Sequence, residues 1–497
     1  MKSLPITTFF LAFITMISCT KLEREDNQNI AFDQFFKTES DAKAAVTDYY
    51  ATAVLGLQNP GYENLGLMGE SQTEIMEFAY DGNLGYFTNH FFLNASQYAT
   101  GLGNILRPYS TIVKHISRGT NLIPQLEKIP MNEALRKRYV AEVRVLRAHC
   151  ALWGYSIFGG VELFLDPEVL ANVETMNFKP RATKAETAKF IISEIDAVKN
   201  DLTPKYGKNE ENYGRVTKGA ALAIKLKIQM QEKMFAEAEA TAREIMTIGY
   251  GLVPKYADIF TLANEGNAET IWSVPTRTNL FPANTFLQIM LPYDYPSKNP
   301  NINKYGVWKI RWGFYDSFDP LDERKKQIAG SYTTYSGQVI KRGEGELTNG
   351  AIALKYEEDP GMTGGLGGVD WILYRYADVL LLIAEAINEN NGPTQEAIGF
   401  VNQIRARAFP NQPDKLFKLF DFTGNKIKFR DAILAERGWE LFMEYHRRQD
   451  LIRHGKFIER AMQVTPRGPI GEFIQLWPIP PSVVDQSKGI VAQNPGY

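Results

Sequence analysis

The chain lacks the residues from which disulfide and zinc frameworks are built. Its 497 residues include only two cysteines and five histidines, and neither an HExxH nor a CxxC motif occurs. A disulfide-rich scaffold and a structural zinc site are therefore excluded. The sequence also has no P-loop, GxGxxG or GxSxG motif, so we expect no cofactor and no familiar catalytic signature.

Neither sign of charge is in excess. The chain has 55 basic and 57 acidic residues, a formal net charge of −2 and a pI near 6.3. Such a chain lacks the positive field that binding a phosphate backbone requires, so nucleic acid is not an expected partner. A hydrophobic share of 44% with 23% charged residues describes a folded protein. The compositional feature left to explain is the aromatic share of 12%.

The N-terminus has the pattern of an export signal. Lys2 precedes an apolar run over residues 4–17, which a serine and Cys19 follow before the chain becomes polar and acidic. The run is shorter than the roughly 20 residues of a spanning helix, and its order is that of a signal peptide. A cysteine after a small residue resembles a bacterial lipobox, which predicts removal of residues 1–18, lipidation of Cys19 and a linker over 19–37. A plain signal peptide with an incidental cysteine is the alternative.

Helical periodicity dominates the rest of the chain. The predicted capping boxes are Thr38 with Asp41 and Thr183 with Glu186. Residues 217–249 and 376–408 each look like a helix–turn–helix repeat with alanine at the contact positions, as in a tetratricopeptide unit. Because one such unit cannot bury its apolar face alone, the predicted fold is mainly α. Tetratricopeptide-like helical hairpins form a single scaffold with long irregular insertions and few short strands.

The helical patterns divide the mature chain into a scaffold and two insertions within one domain, residues 38–497. The scaffold is predicted over residues 38–57, 104–260 and 372–460, and the irregular regions over 58–103 and 275–371. Long loops of this kind are usually functional or disordered. Disorder is disfavoured because seven aromatics lie between residues 78 and 98 and eight between 293 and 318, more than double the chain average.

Eight short segments, spread over nearly the whole mature chain, occur in the same order as the motifs of a known protein family. They are residues 38–45 (TESDAKAA), 142–148 (EVRVLRA), 155–161 (YSIFGGV), 374–386 (YRYADVLLLIAEA), 435–441 (AERGWEL), 450–455 (DLIRHG), 477–480 (WPIP) and 493–497 (QNPGY). Behind a lipobox-like cysteine, this series resembles the SusD/RagB family of outer-membrane lipoproteins.

The resemblance implies a tetratricopeptide-containing α-helical scaffold whose irregular loops carry the ligand site. It also implies a lipid anchor in the outer membrane of a Bacteroidetes-type bacterium, on the extracellular side, and a SusC-like TonB-dependent transporter as partner. The best-known members bind glycans without cleaving them, and the RagB branch binds peptides. The expected function is therefore a non-catalytic glycan-binding lipoprotein that captures nutrient and passes it to the transporter. A RagB-like peptide-binding lipoprotein with the same role is the alternative.

Aromatic side chains with polar tips suit the apolar faces and hydroxyl edges of neutral sugars. The candidate ligand-binding residues in the two irregular regions are Tyr80, Asp81, Asn83, Tyr86, Asn89, Trp308, Arg311 and Trp312. The alternative is that these aromatics only attach irregular loops to the helical body. The remaining tryptophans lie among apolar neighbours in helical or strand-like patterns and are assigned to the core: Trp153, Trp272, Trp371, Trp439 and Trp477.

One group of carboxylates raises the question of catalysis. A glycosidase needs two carboxyl groups roughly 5–10 Å apart, and Glu436, Glu440 and Glu444 share one predicted helix face. The same segment carries several arginines, and Glu444 and Arg448 have the spacing of a helical ion pair. A structural charge network is therefore favoured, and the chain is predicted not to be an enzyme. A glycoside hydrolase and a purely structural scaffold remain as alternatives.

Overall fold

The computed structural model describes residues 36–58, 65–79, 103–171, 177–464 and 471–497. The export signal and Cys19 lie outside these residues. Five of the candidate ligand-binding residues also lie outside them, namely Tyr80, Asp81, Asn83, Tyr86 and Asn89. The predictions made for these positions stay predictions.

Helices make up most of the described structure, which confirms the mainly α fold class. In chain order they are α1 (Glu39–Ala53), α2 (Leu55–Gln58), α3 (Leu65–Glu70), α4 (Gly103–Lys128), α5 (Glu133–Phe158), α6 (Pro167–Ala171), α7 (Lys184–Val198), α8 (Lys218–Gln231), α9 (Phe235–Met246), α10 (Phe286–Met290), α11 (Trp312–Asp316), α12 (Tyr376–Asn391), α13 (Gln395–Ala408), α14 (Lys426–Leu441), α15 (Arg447–Arg453), α16 (Phe457–Val464) and α17 (Pro481–Gln486). Among the described helices, none combines the length and the apolar character that crossing a membrane requires.

Both predicted capping boxes are present at the helix starts. At α7, the Thr183 hydroxyl accepts a hydrogen bond from the backbone N–H of Glu186 at 3.2 Å. The Glu186 carboxylate in turn accepts one from the backbone N–H of Thr183 at 2.8 Å. The box therefore satisfies two amide groups that the first turn of a helix otherwise leaves unpaired.

Loss of this cap is expected to destabilise the protein. Thr183→Ala removes the hydroxyl acceptor, and a substitution of this kind costs about 1 kcal/mol of unfolding free energy. Guanidinium denaturation followed by circular dichroism measures the change. Lys189→Ala, at an exposed position of the same helix, is the control. Equal midpoints for the two variants would contradict the role of the cap.

The two predicted helical hairpins are confirmed and lie side by side. Helices α8 and α9 form the first, helices α12 and α13 form the second, and α9 packs on α12. Ala220 and Ala242 in the first hairpin and Ala384 in the second are fully buried, as expected where helix axes approach closely. The remaining face of α12 is covered by α14, so this helix is buried continuously from Tyr376 to Asn388. Helices α4, α5 and α7 extend the stack.

The irregular regions contain short strands that join distant parts of the chain. The strands are β1 (Met76–Phe78), β2 (Thr270–Val274), β3 (Trp308–Arg311), β4 (Ile328–Ala329), β5 (Tyr332–Thr333), β6 (Val339–Ile340), β7 (Gly350–Ala353) and β8 (Trp371–Arg375). They form a four-stranded sheet in the order β1-β3-β7-β4 and two pairs, β2-β8 and β5-β6. All the described strand pairs are antiparallel.

Strand β3 occupies an inner position of the four-stranded sheet. Met76 pairs with Ile310 on one side, and Gly350 pairs with Arg311 on the other. A Cβ atom at Gly350 would come within 2.4 Å of the Ile310 carbonyl oxygen, so only glycine allows this approach of β7 to β3. The chain turns directly from Arg311 into helix α11. The sheet thereby presents Arg311 and Trp312 at its edge, facing the C-terminal helices.

Candidate ligand-binding cleft

A cleft of about 550 Å³ opens between the four-stranded sheet and the C-terminal helices. We call it the Trp312–Trp439 cleft. Residues on the sheet side are Glu74, Glu77, Arg311, Trp312, Gly313, Phe314, Ser317 and Asn349, and those on the helix side are Ala435, Trp439, Arg447, Arg460 and Gln463. This volume lies within the range of small-molecule binding sites, roughly 300–1,000 Å³.

Trp312 lies in the cleft as a half-buried ring whose position is tightly held. The Arg342 guanidinium lies 4.6 Å from the ring centroid and donates to both oxygens of Asp316, at 3.0 and 2.8 Å. The edge of the ring meets Tyr315 at a centroid distance of 5.5 Å. Because a cation already covers one face, only the opposite face of Trp312 is left to stack on a ligand.

Trp439 forms the opposing aromatic wall, and its position corrects the assignment of this residue to the core. It lies half-buried on α14 and lines the cleft together with Ala435, one helical turn earlier. Its indole N–H donates to the Ser317 hydroxyl at 3.0 Å, which joins the helix side to the sheet side. Ala435 and Trp439 are four residues apart and so lie on one face of the helix, next to the buried face that carries Glu436 and Glu440. This spacing was the sequence signal that could have placed Trp439 beside Ala435 in the cleft.

Trp308 differs from its prediction. Its side chain has 0% exposure, so it cannot present a face to a ligand, and an exposed platform at this residue is contradicted. The cause is its place on β3, an inner strand of the sheet, where Trp308 pairs with Phe78 of β1 and its side chain belongs to the hydrophobic core. The core assignment is confirmed for Trp272, Trp371 and Trp477, which are all buried.

Arg311, one of the candidate ligand-binding residues, lines the cleft, but most of its bonds are internal. It forms an ion pair with Glu77 on the adjacent strand at 2.5 Å and donates to the carbonyl of Met76 at 3.1 Å. Burial lowers the pKa of Arg311, and the Glu77 carboxylate opposes that shift. On the helix side, Arg447 donates to Glu74 at 3.0 Å. Two arginine–glutamate pairs thus provide charged groups to the lining of the cleft that the two tryptophans share.

Below the cleft lies a buried charge cluster that accounts for the suspected catalytic carboxylates. Glu440 is fully buried and accepts hydrogen bonds from Arg375, Arg407 and Arg324 at 2.6, 2.5 and 3.1 Å. Burial alone would raise the pKa of Glu440, but Arg407, Arg375 and Arg324 together outweigh it and lower that pKa. A general acid needs the opposite shift and access to substrate. Glu440 is therefore part of a structural network.

The predicted ion pair of Glu444 with Arg448 is wrong. Helix α14 ends at Leu441, so Glu444 and Arg448 do not lie one turn apart on a single helix. Glu444 instead binds Arg375 at 2.6 Å and Lys355 at 2.5 Å. Across the described residues, no group of three or more histidine, cysteine, aspartate or glutamate side chains is placed to hold a metal ion.

Similarity to known proteins agrees with this architecture. The model of the SusD family matches residues 325–497. Over their full lengths, the chain is 25% identical to SusD-like protein P25 of Formosa agariphila, with all of both chains covered. The C-terminal third of the chain is thus similar to the SusD family. The match confirms the resemblance carried by the short sequence segments.

Some of the similar proteins carry names that state a ligand. It is 20% identical to the starch-binding protein SusD of Bacteroides thetaiotaomicron over 76% of this chain and 75% of that one. The fold matches that of surface glycan-binding protein A from Bacteroides thetaiotaomicron, solved in complex with laminarihexaose, with a TM-score of 0.72. That match has 20% identity and covers 92% of this chain and 100% of that one. A SusD homolog from the same species has a TM-score of 0.77 at 20% identity, with 95% of this chain and 99% of that one covered.

Proposed function

We propose that this chain is a cell-surface lipoprotein of the SusD family that binds glycans without cleaving them and passes them to a SusC-like TonB-dependent transporter. In this proposal, residues 1–18 are removed on export and Cys19 carries the lipid anchor in the outer membrane. Residues 38–497 form a single ligand-binding domain behind a short linker.

The observation that carries the proposal is the Trp312–Trp439 cleft. It brings two half-buried indoles, from parts of the chain 127 residues apart by their numbers, to the walls of one opening. Indoles of this kind bind the C–H faces of sugar rings, and the polar groups beside them suit hydroxyl groups. The names of the starch-binding and laminarihexaose-bound relatives support the same ligand class.

Affinity for a glycan is expected to be modest. One aromatic platform contributes about 1 kcal/mol, and hydrogen bonds to sugar hydroxyls replace good bonds to water. Trp439→Ala is therefore expected to weaken glycan binding about fivefold to tenfold, as measured by isothermal titration calorimetry with a panel of oligosaccharides and peptides. Phe420→Ala, which removes a ring that is 72% exposed and outside the cleft, is the control and should bind as the wild type does. Circular dichroism verifies that both variants are folded.

Three outcomes would contradict the proposal. Binding of peptides, with no measurable binding of any glycan in the panel, would favour the RagB-like alternative. Release of reducing ends that Glu440→Gln abolishes would favour a hydrolase. If no small ligand binds and Trp439→Ala changes only stability, the chain acts as a scaffold for its protein partner. Co-purification with a TonB-dependent transporter tests the transport role separately.

A further inference from the structure

One arginine of the Trp312–Trp439 cleft differs from the other two. Arg311 and Arg447 are each matched by a glutamate of the cleft lining, namely Glu77 and Glu74. Arg460, on α16, has no carboxylate partner among the described residues. Of the described residues, three arginines and two glutamates line the cleft, so the formal charges of this lining sum to +1, whereas the whole chain carries −2.

The bonds around Arg460 leave much of its guanidinium unused. Its Nη1 donates to the Gln463 side-chain oxygen at 3.2 Å. Its Nε is buried and has no hydrogen-bond partner in the described part of the chain. The acid next to it in sequence, Glu459, is bonded to Lys456 at 3.0 Å instead. A guanidinium offers five N–H donors in a planar fork, and a buried donor that finds no acceptor destabilises the site.

We propose that the Trp312–Trp439 cleft binds a glycan that carries an oxyanion substituent, either a carboxylate or a sulfate, and that Arg460 pairs with this group. The proposal rests on the proposed glycan-binding function and names its substrate class. An oxyanion accepts two parallel hydrogen bonds from a guanidinium, so it would satisfy the Arg460 donors that have no partner among the described residues. The sugar ring would stack on Trp439 while its anionic substituent pairs with Arg460.

The paired arginines explain why the selectivity depends on Arg460. Arg311 and Arg447 are already neutralised by short ion pairs, and an anion near them would also meet Glu77 and Glu74. A neutral sugar would leave the Arg460 donors without a charged acceptor, because a hydroxyl accepts more weakly than an oxyanion. A site with an unmatched buried donor discriminates against ligands that cannot bond it.

The test compares three oligosaccharide classes on the purified full chain by calorimetry at two salt concentrations. Laminarihexaose represents neutral glycans, oligogalacturonate the carboxylates and carrageenan oligosaccharides the sulfates. The wild type is expected to prefer at least one anionic class, with affinity that falls as salt rises. Arg460→Gln is expected to weaken that binding about tenfold and to reduce its salt dependence. Lys456→Gln, which removes a partly exposed charge directly before the same helix, is the control and should leave affinity unchanged.

The outcomes separate this inference from the function on which it rests. Preference for the carboxylate or for the sulfate class, lost in Arg460→Gln, supports the proposal and identifies the oxyanion. If laminarihexaose binds best and Arg460→Gln binds it as the wild type does, the inference is overturned while glycan binding stands. If none of the three classes binds and Trp439→Ala changes nothing, the proposed function itself fails.

Discussion

Replacing Arg375 by methionine is expected to lower the free energy of unfolding by about 3–5 kcal/mol. Arg375 is fully buried and binds Glu444 at 2.6 Å and Glu269 and Glu440 at 2.6 Å each. Methionine has a similar length but no charge. The three carboxylates would lose a shared cation in a place where water cannot reach them, and removing one partner of a buried ion pair is strongly destabilising.

Arg243 provides the matched control for Arg375. It also binds two carboxylates, those of Glu239 and Glu396, each at 2.8 Å, but its side chain is 44% exposed. Exposed ion pairs contribute about 0–1 kcal/mol, so Arg243→Met should change stability by less than about 1 kcal/mol. Guanidinium unfolding at pH 7, followed by tryptophan fluorescence, measures both variants. Similar losses in the two variants would show that burial of the charge cluster does not determine its contribution.

The second large effect concerns Glu70, a buried acid at the end of α3. Burial raises the pKa of Glu70 to about 8, although its carboxylate accepts a hydrogen bond from the backbone N–H of Tyr445 at 2.8 Å. The folded protein therefore keeps this proton up to about pH 8, whereas the unfolded chain releases it near the ordinary glutamate pKa of 4.5. The stability that Glu70 contributes is complete below pH 4.5 and is lost as the pH rises through 8.

Glu70→Gln is expected to remove this pH-dependent loss of stability, because glutamine cannot ionise. Each pH unit between the two pKa values corresponds to about 1.4 kcal/mol. The difference in unfolding free energy between variant and wild type should therefore grow by about 1.5–2 kcal/mol from pH 6.5 to pH 8. Urea unfolding at several pH values measures it. Glu127→Gln removes an exposed carboxylate and is the control. A difference that stays constant over this range would refute the effect of Glu70.

The lower limit of this pH range avoids an opposing contribution from buried histidines. Burial lowers the pKa of His446 to about 4 and that of His149 to about 3. Below pH 6.5, the unfolded chain binds protons at these residues that the folded protein does not. Stability then falls as the pH falls. Comparing each variant with the wild type at the same pH isolates Glu70, because both proteins share the histidines.

The parts of the fold that depend on local sequence could be predicted, and the parts that depend on distant contacts could not. The capping box at Thr183 and the hairpin over residues 217–249 follow from spacings within a few turns of helix. The exposure of Trp308 and Trp439 depends instead on which strands and helices cover them. Trp308 lies in an aromatic-rich irregular region yet is covered by a sheet, whereas Trp439 lies in a regular helix yet faces the cleft.

The same limit applies to the charges of the cleft. Arg447 and Glu74 are 373 residues apart, and Arg311 and Glu77 are 234 apart. No spacing rule connects residues at such distances. Within the described ranges Arg460 has no carboxylate partner, and its contacts likewise do not follow from the sequence. An aromatic excess in the composition indicated a ligand site, but the position of that site required the three-dimensional contacts.

The pairing of β1 with β3 sets the order in which this protein can be assembled. A chain leaves the ribosome with its N-terminal end first, so residues 76–78 cannot pair until residues 308–310 have followed. The helical hairpins close over short separations and form early, whereas contacts over hundreds of residues form late. The cleft can therefore form only after the sheet and the C-terminal helices have both been synthesised, so it is present only once nearly the whole chain has emerged.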